Sequence, residues 1–301
     1  MKRIIILLIG TILFFTSCQE KTINLEDVRI KDNLVYYKEE SKSFSGIVKL
    51  KTSNPMEFSN KEALDFLVAK NFSDITKIFD FPIYEKLNNV RNDNKSKNLN
   101  ILLIRSFYLN FLSEVLIGAI YMNYFNIYLL KDIESIIEVK NGKINGKTKF
   151  YKENSLFFET IYSENFIQES KLFHSNGKLM AEEKFQNGNI IKSKIFTYDN
   201  VDNLILETTL DDSEGKLKTI LVFFKNNKKV QEIFFSLDDC LIKIYEDGKL
   251  IKEGILDKNN SILKEHKDGN LISEETKKSM EILGMFKIPN TINYKREDKI
   301  E

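Results

Sequence analysis

The segment Tyr245-Glu-Asp-Gly-Lys-Leu250 contains the pattern that decides the fold. It consists of an aromatic ring, any residue, Asn or Asp, Gly, a polar residue and an aliphatic residue. The same pattern recurs at residues 174–179, 185–190 and 266–271. Asn-Gly and Asp-Gly tolerate positive φ at both central positions of a type I′ turn, whose twist matches that of the flanking strands. Each copy therefore predicts a β-hairpin whose ring and aliphatic residue form a cross-strand or same-face pair.

Turn signals recur between residues 141 and 272 at intervals of roughly nine to twelve residues, the spacing of short strands joined by tight turns. The strong signals are Asn141-Gly142, Asn145-Gly146, Asn176-Gly177, Asn187-Gly188, Asp247-Gly248 and Asp268-Gly269. Weaker signals are Asn154-Ser155, Glu164-Asn165, Asn226-Asn227, Asp238-Asp239 and Asn259-Asn260. No proline occurs between Pro82 and Pro289, so every backbone N–H of the region is available to a sheet ladder. The sequence predicts a mainly β antiparallel meander of short hairpins with an inserted α-helical segment, α+β overall.

The N-terminus carries an export signal. Lys2 and Arg3 precede an apolar run over residues 4–15, and small residues then lead to Cys18. A basic start, a short apolar run and small residues before the cut predict a signal peptide over residues 1–17. Its end resembles a bacterial lipobox, which implies that Cys18 becomes the lipid-modified first residue of the mature chain. The expected location is the cell envelope, at the outer membrane or cell surface. An uncleaved anchor helix and secretion without lipid are the alternatives.

The rest of the chain divides into four parts. Residues 18–51 form the lipidated N-terminus with a first repeat-like hairpin, 52–138 a mainly helical insertion, 139–273 the repeat array and 274–301 a polar tail. In the insertion, Ser59 is a candidate helix cap. Residues 106–130 contain one charged residue, Glu114, and are long enough to span a membrane. If this segment is helical, its polar residues lie all around the helix, which favours a core helix over a membrane span.

Composition argues against several functions. The 45 basic and 44 acidic residues create no overall field that would recruit nucleic acid. Two cysteines and two histidines are too few for a four-ligand zinc site or a disulfide framework. His174 and His266 occupy the ring position of the repeat, so we expect ring substitutes rather than catalytic groups or metal ligands. Cys240 is expected to be a buried apolar residue. We predict no catalytic residue, metal or cofactor.

Residues 141–151 and the ring-x-(Asn/Asp)-Gly-Lys-Leu units that follow resemble the variant MORN repeats of bacterial lipoproteins. Such arrays are grouped with the YwqK-type antitoxin family. Residues 34–49 resemble the unit that opens these arrays. The resemblance covers roughly half of the mature chain, in two pieces. It implies a β-meander sheet and a protein-binding or antitoxin-like role, with no catalytic residues to carry over.

Two functions of different classes follow from these expectations. The first is a lipid-anchored protein whose repeat sheet binds a protein partner, by resemblance a toxin. The second is a structural or envelope-associated lipoprotein that contacts membrane, glycan or a sister copy through an open sheet edge. An enzyme is not expected, because the acidic pairs Asp211-Asp212 and Asp238-Asp239 fall at turns, where Asp hydrogen-bonds the backbone.

Overall fold

A computed structural model describes residues 21–52, 59–69, 132–199, 201–214, 217–236 and 238–285. The predicted signal peptide, Cys18 and the segment 106–130 lie outside these residues. The described part divides into two compact units. The first unit holds the described residues up to 168, and the second holds those from 169 onward.

The first unit is a small sheet with short helical turns at its start. Its strands are β1 (Thr22–Asn24), β2 (Val28–Lys31), β3 (Leu34–Tyr37), β4 (Gly46–Thr52), β5 (Ile133–Lys140), β6 (Lys143–Lys152), β7 (Ser155–Ser163) and the beginning of β8 (Phe166–Phe173). A 3₁₀ turn covers Leu25–Asp27, and α1 (Lys61–Leu64) continues into a π-helical turn, Asp65–Ala69. β1 runs parallel to β4, whereas β4 to β7 pair antiparallel. β2 and β3 form a separate two-stranded ribbon.

The second unit is an antiparallel meander followed by one short helix. It consists of the end of β8, then β9 (Leu179–Gln186), β10 (Asn189–Tyr198), β11 (Leu204–Asp211), β12 (Lys218–Lys225), β13 (Lys228–Phe235), β14 (Cys240–Glu246), β15 (Lys249–Leu256), β16 (Ser261–Lys267), β17 (Asn270–Thr276) and α2 (Ser279–Gly284). From β8 to β17, each strand pairs antiparallel with the next along the chain.

The strand order of the main sheet follows the order of the chain. Among the described residues, β1 and β4 to β17 form one sheet of 15 strands. This confirms the predicted mainly β antiparallel meander. Two boundaries differ from the expected ones: β5 begins at Ile133, inside the predicted insertion 52–138, and β17 extends to Thr276, past the predicted end at 273. In β5 the alternation of buried and partly exposed side chains extends back to Ile133, although the composition had suggested the insertion there.

The start of α1 also differs from the prediction. The cap is Asn60 rather than Ser59, because the Asn60 side-chain oxygen accepts a hydrogen bond from the Ala63 N–H at 3.2 Å. The Asn60 amide group in turn donates to the Val28 carbonyl at 2.7 Å. The cap residue therefore holds the start of the helix against the N-terminal strands of the first unit.

A row of apolar side chains forms the core of the second unit. Leu221, Ile233 and Ile242 lie directly opposite one another on β12, β13 and β14, and none is exposed to solvent. The row continues to Gly254 on β15, where a Cβ would come within 2.9 Å of the Ile282 side chain of α2. The glycine therefore lets α2 pack closely onto this face, and Ile282 is 1% exposed.

Cys240 lies in the same core. It opens β14, opposite Phe235 and Leu256, and is 1% exposed. Burial, together with the nearby Asp239 carboxylate, raises the pKa of the thiol to about 12. Because the thiolate is the reactive form of cysteine, the folded chain holds this thiol in an unreactive state.

We expect Cys240 to react with Ellman's reagent on the order of a thousandfold more slowly in native buffer than in denaturant, because little thiolate forms in the folded state. The measurement uses a chain that begins at Gln19, in which Cys240 is the sole cysteine. Equal labelling rates in the two conditions would show that the thiol is accessible and contradict the prediction.

Candidate binding surface

The predicted turn residues mostly lie at tight turns between strands. Both central residues have positive φ at four sites: Asn141-Gly142 (51° and 78°), Asn187-Gly188 (52° and 77°), Asp247-Gly248 (48° and 81°) and Asp268-Gly269 (54° and 84°). Positive φ at both positions defines the type I′ turn, which requires a residue that tolerates the left-handed region. These turns connect β5 to β6, β9 to β10, β14 to β15 and β16 to β17.

Asn176-Gly177 lies at a wider turn. Only Gly177 has positive φ there, 81°. The His174 carbonyl accepts a hydrogen bond from the Gly177 N–H, and the His174 N–H donates to the Lys178 carbonyl, both at 2.8 Å. The extra residue shifts the ladder, so that Phe173, rather than His174, pairs with Leu179.

Asn145 and Gly146 are not at a turn. Both lie within β6, where Gly146 has a φ of 104° and pairs with Tyr162 on β7. A Cβ at Gly146 would collide with the Glu138 carboxylate, which accepts a hydrogen bond from the Lys147 N–H at 2.8 Å. Glycine is favoured here because its φ of 104° is one that other residues rarely adopt, a requirement that the dipeptide Asn-Gly does not distinguish from a turn.

The weaker turn signals fall into two groups. Glu164-Asn165 and Asn226-Asn227 have positive φ at both positions, and so do Glu153 and Asn154, one residue earlier than predicted. The remaining two signals lie in wider loops closed by side chains. In one of them, the Asp257 carboxylate accepts hydrogen bonds from the Asn259 and Asn260 N–H groups at 2.6 and 2.7 Å.

Rings and aliphatic residues of the repeat pair across the hairpins. Tyr245 lies opposite Leu250, His266 opposite Leu271 and Tyr198 opposite Leu204. The ladder shifts by one residue immediately before each of these rings. Such bulges bend the strand and increase its twist. The repeated ring therefore marks a repeated bend near the end of each hairpin.

Ion pairs connect successive turns. Lys228 reaches the Asp247 carboxylate at 2.9 Å, and Lys249 reaches Asp268 at 2.8 Å. In each pair, the lysine follows one turn, and the aspartate begins the next turn at the same end of the strands. This contact gives a structural role to the Asp and Lys of the repeated pattern. The pairs are solvent-exposed, so water screens them and each contributes little to the free energy of unfolding.

A row of alternating charge crosses the solvent face of the last five strands. Glu232, Lys243, Glu253, Lys264 and Glu274 lie directly opposite one another, one on each of β13 to β17. The Lys243–Glu253 and Lys264–Glu253 pairs are 3.9 Å apart, and Lys264–Glu274 is 3.5 Å apart. Opposite charges at facing positions stabilise a sheet and disfavour other registers. The row, which we call the charge row, ends on β17.

β17 is the last strand of the sheet in the part of the chain that the structure describes. Six of its seven residues are exposed; Ser273 is partly buried. Leu271 is 53% exposed and Ile272 is 61% exposed, among the highest values for large apolar residues in the described ranges. This strand combines an open position in the ladder with exposed apolar surface, and it is the candidate binding surface.

A shallow cleft of about 260 Å³ lies elsewhere on the second unit, over β8 to β10, and four lysines border it. Lys192 is paired with Asp211 at 2.8 Å and Lys194 with Glu207 at 3.2 Å. Burial alone would raise the pKa of Asp211, but the hydrogen bonds from Lys192 and Ser213 lower it to about 2. The lysines are therefore partly neutralised by carboxylates of the same sheet.

A buried carboxyl interrupts the core face near this cleft. Glu183 on β9 faces Ser170 on β8 and Ser193 on β10. The Ser170 hydroxyl donates to one Glu183 carboxyl oxygen at 2.6 Å. The other carboxyl oxygen and the Ser193 hydroxyl have no hydrogen-bond partner among the described residues. Burial raises the pKa of Glu183 to about 8, although the Ser170 hydrogen bond opposes that rise. The carboxyl is therefore mostly protonated at neutral pH.

The two histidines lie at separate hairpins of the second unit. The His174 ring meets the edge of Tyr198 at a centroid distance of 5.6 Å, and burial lowers its pKa. His266 lies within β16, opposite Leu271. Within the described ranges, no three His, Cys, Asp or Glu side chains are grouped so that they could hold a metal ion. No helix in those ranges is long and apolar enough to cross a membrane.

Comparison with known proteins leaves the family undetermined. No family model matches the chain, and no curated protein sequence matches it. Among solved structures, the chain is similar to a protein of unknown function from Bacteroides fragilis NCTC 9343, with 12% sequence identity and a TM-score of 0.11. That match covers 46% of this chain and 94% of the other. A TM-score this low supports no argument about fold or function.

The turn at Gly142 provides a test of close packing. Gly142 and Gly248 have nearly equal φ, 78° and 81°, but a Cβ at Gly142 would lie 2.9 Å from Ser43 Cβ, whereas a Cβ at Gly248 would meet nothing within 4 Å. We expect Gly248→Ala to lower the free energy of unfolding by about 1 kcal/mol, the cost of the left-handed conformation alone. Gly142→Ala should cost about 2 kcal/mol more, because it adds overpacking. Urea denaturation of each variant against wild type checks this, and equal losses would contradict the packing at Gly142.

Glu183 predicts a pH dependence of stability. In the folded state, burial raises the pKa of Glu183 from 4.5 to about 8. The stability that its protonated form contributes is therefore fully present below pH 4.5 and is lost as pH rises toward 8. From pH 4.5 to pH 7, the free energy of unfolding of wild type should fall by about 3 kcal/mol relative to that of Glu183→Gln, which cannot ionise. The measurement is urea unfolding of both proteins at several pH values. A stability difference between the two proteins that does not change with pH would refute the protonated state.

Proposed function

We propose that this chain is a lipid-anchored, non-enzymatic envelope protein that binds a protein partner through β17, the open end of its repeat sheet. Cys18 carries the lipid, and the anchor holds the array at the outer membrane or cell surface. By resemblance to the YwqK-type antitoxin family, the partner is a toxin or other effector, neutralised because binding covers its active surface.

The exposure of β17 is the observation that carries this proposal. Natural proteins commonly protect edge strands with lysine, proline, bulges or a covering element, because an open edge pairs with other chains. β17 contains neither lysine nor proline, and although a bulge at Ile272 interrupts its pairing with β16, Leu271 and Ile272 remain largely in water. A partner strand would gain backbone hydrogen bonds from the edge and apolar burial from these two side chains.

The test uses a chain that begins at Gln19, and therefore carries no lipid, as bait in an extract of the source cells. We expect one protein to be retained, and we expect a Leu271→Asp, Ile272→Asp double variant to lose it, because buried carboxylates would oppose strand addition. Val201→Asp is the matched control, since Val201 is 75% exposed in a loop away from β17 and its loss should leave capture unchanged.

Mass spectrometry of the N-terminal peptide of the membrane-bound protein should find the acyl chains on Cys18.

The outcomes separate the candidate functions. Retention of the same partner by the wild type and the double variant would place binding away from β17 and overturn the proposal. Concentration-dependent self-association of the wild type, lost in the double variant and without a foreign partner, would support the structural function instead. An unmodified Cys18 in the membrane fraction would refute the lipid anchor.

A further inference from the structure

The charge row predicts what the partner strand presents to β17. Across β13 to β17, each charged residue of the row faces the opposite charge on the neighbouring strand. Glu274 is the last member, and its carboxylate is 51% exposed while 3.5 Å from Lys264 on the inner side. On its outer side, the described part of the chain supplies no further strand. If the alternation continued, the residue facing Glu274 on an added strand would be a cation.

A second copy of β17 does not satisfy this requirement. The strand Asn270–Thr276 contains Glu274 and Glu275 but no lysine or arginine. Two copies paired through this strand would therefore place Glu274 opposite an apolar, polar or acidic residue, and facing carboxylates destabilise a sheet. The acidic pair disfavours self-pairing while leaving the edge complementary to a basic strand.

Ile272 adds a second element of recognition. It lies two residues before Glu274 on the same strand and is 61% exposed. The bulge between Glu265 and His266 leaves Ile272 without a directly opposed residue on β16. The outer strand thus presents an exposed apolar side chain two residues away from an exposed carboxylate.

We propose that the partner of β17 is an extended protein segment that adds as an antiparallel strand and places a lysine or arginine opposite Glu274 and an apolar residue near Ile272. This inference rests on the proposed function, because it specifies the partner of the same edge. Main-chain hydrogen bonds supply affinity in this mode of recognition, and facing side chains supply the sequence preference.

The chain itself provides a probe. A peptide with the sequence Ser-Ile-Leu-Lys-Glu-His-Lys copies β16, whose Lys264 already faces Glu274 from the inner side. The matched peptide carries Glu in place of that lysine. Fluorescence anisotropy of the labelled peptides with the unlipidated mature chain measures affinity, and chemical shifts of the β17 amides locate the contact. We expect the lysine peptide to bind about fivefold more tightly at low salt, and we expect added salt to reduce the difference.

Charge exchange makes the test specific. In Glu274→Lys, the preference should reverse in favour of the glutamate peptide. Glu275→Lys is the matched control, because it changes net charge equally on the opposite face and should keep the preference for lysine. A lysine peptide N-methylated at alternate backbone positions should not bind, since it cannot complete the ladder. Circular dichroism confirms that both protein variants are folded.

Three results would overturn the inference: no binding of the lysine peptide, equal binding of both peptides by wild type, or an unchanged preference in Glu274→Lys. Failure of the proposed function is a different observation, because partner capture tests the apolar residues Leu271 and Ile272 and leaves the Glu274 carboxylate unchanged. Capture that depends on those residues, combined with no charge preference of the peptides, would leave the proposed function standing and remove this inference alone.

Discussion

The structure depends on one constraint, the closure of neighbouring strands by turns in the left-handed region. A two-residue turn sets which residues of the two strands face each other, and a slip of one residue would move every side chain to the opposite face. In the second unit, such a slip would bring Lys243 or Lys264 into the face that holds Ile233 and Ile242. The Asn-Gly and Asp-Gly turns therefore determine more than hairpin formation, because they decide which face is buried.

Short turns also make strand order equal to chain order, so a pattern repeated in sequence becomes a row in space. The Asp and Lys of the repeat become ion pairs between turns, as in Lys249–Asp268. The ring and aliphatic positions become cross-strand pairs, as in Tyr245 and Leu250. Glutamates and lysines at one strand position become the charge row. Each contact is weak, but neighbouring hairpins share it, and stability accumulates along the array.

The sequence predicts this architecture well where local chemistry alone decides it. Asp247-Gly248 is a turn because few other residue pairs accept its φ angles. Prediction from the sequence fails where a residue's role depends on a distant neighbour. Gly146 adopts a positive φ within β6, beside the Glu138 carboxylate of β5, and His174 leaves the ring position because its turn contains one more residue. Glu183 belongs to an ordinary Lys and Glu pattern, and only the register with Ser170 and Ser193 reveals a buried carboxyl. The charge row could not be predicted from the sequence for the same reason, because only the register shows which of its residues face one another.

An array of this kind must end, and the manner of its ending bears on function. Repeat arrays commonly protect their last unit with a capping element. Here the chain turns back after β17: the Lys277 N–H donates to the Ser261 carbonyl at 2.8 Å, and the Ser279 and Ser261 hydroxyls lie 2.9 Å apart. α2 then packs on the face of the sheet, with Ile282 against Gly254 on β15. The helix thus covers a face two strands inward, and the exposed residues of β17 lie beyond it. An ending that protects the face while leaving Leu271 and Ile272 in water favours a strand-adding partner over a closed, self-sufficient sheet.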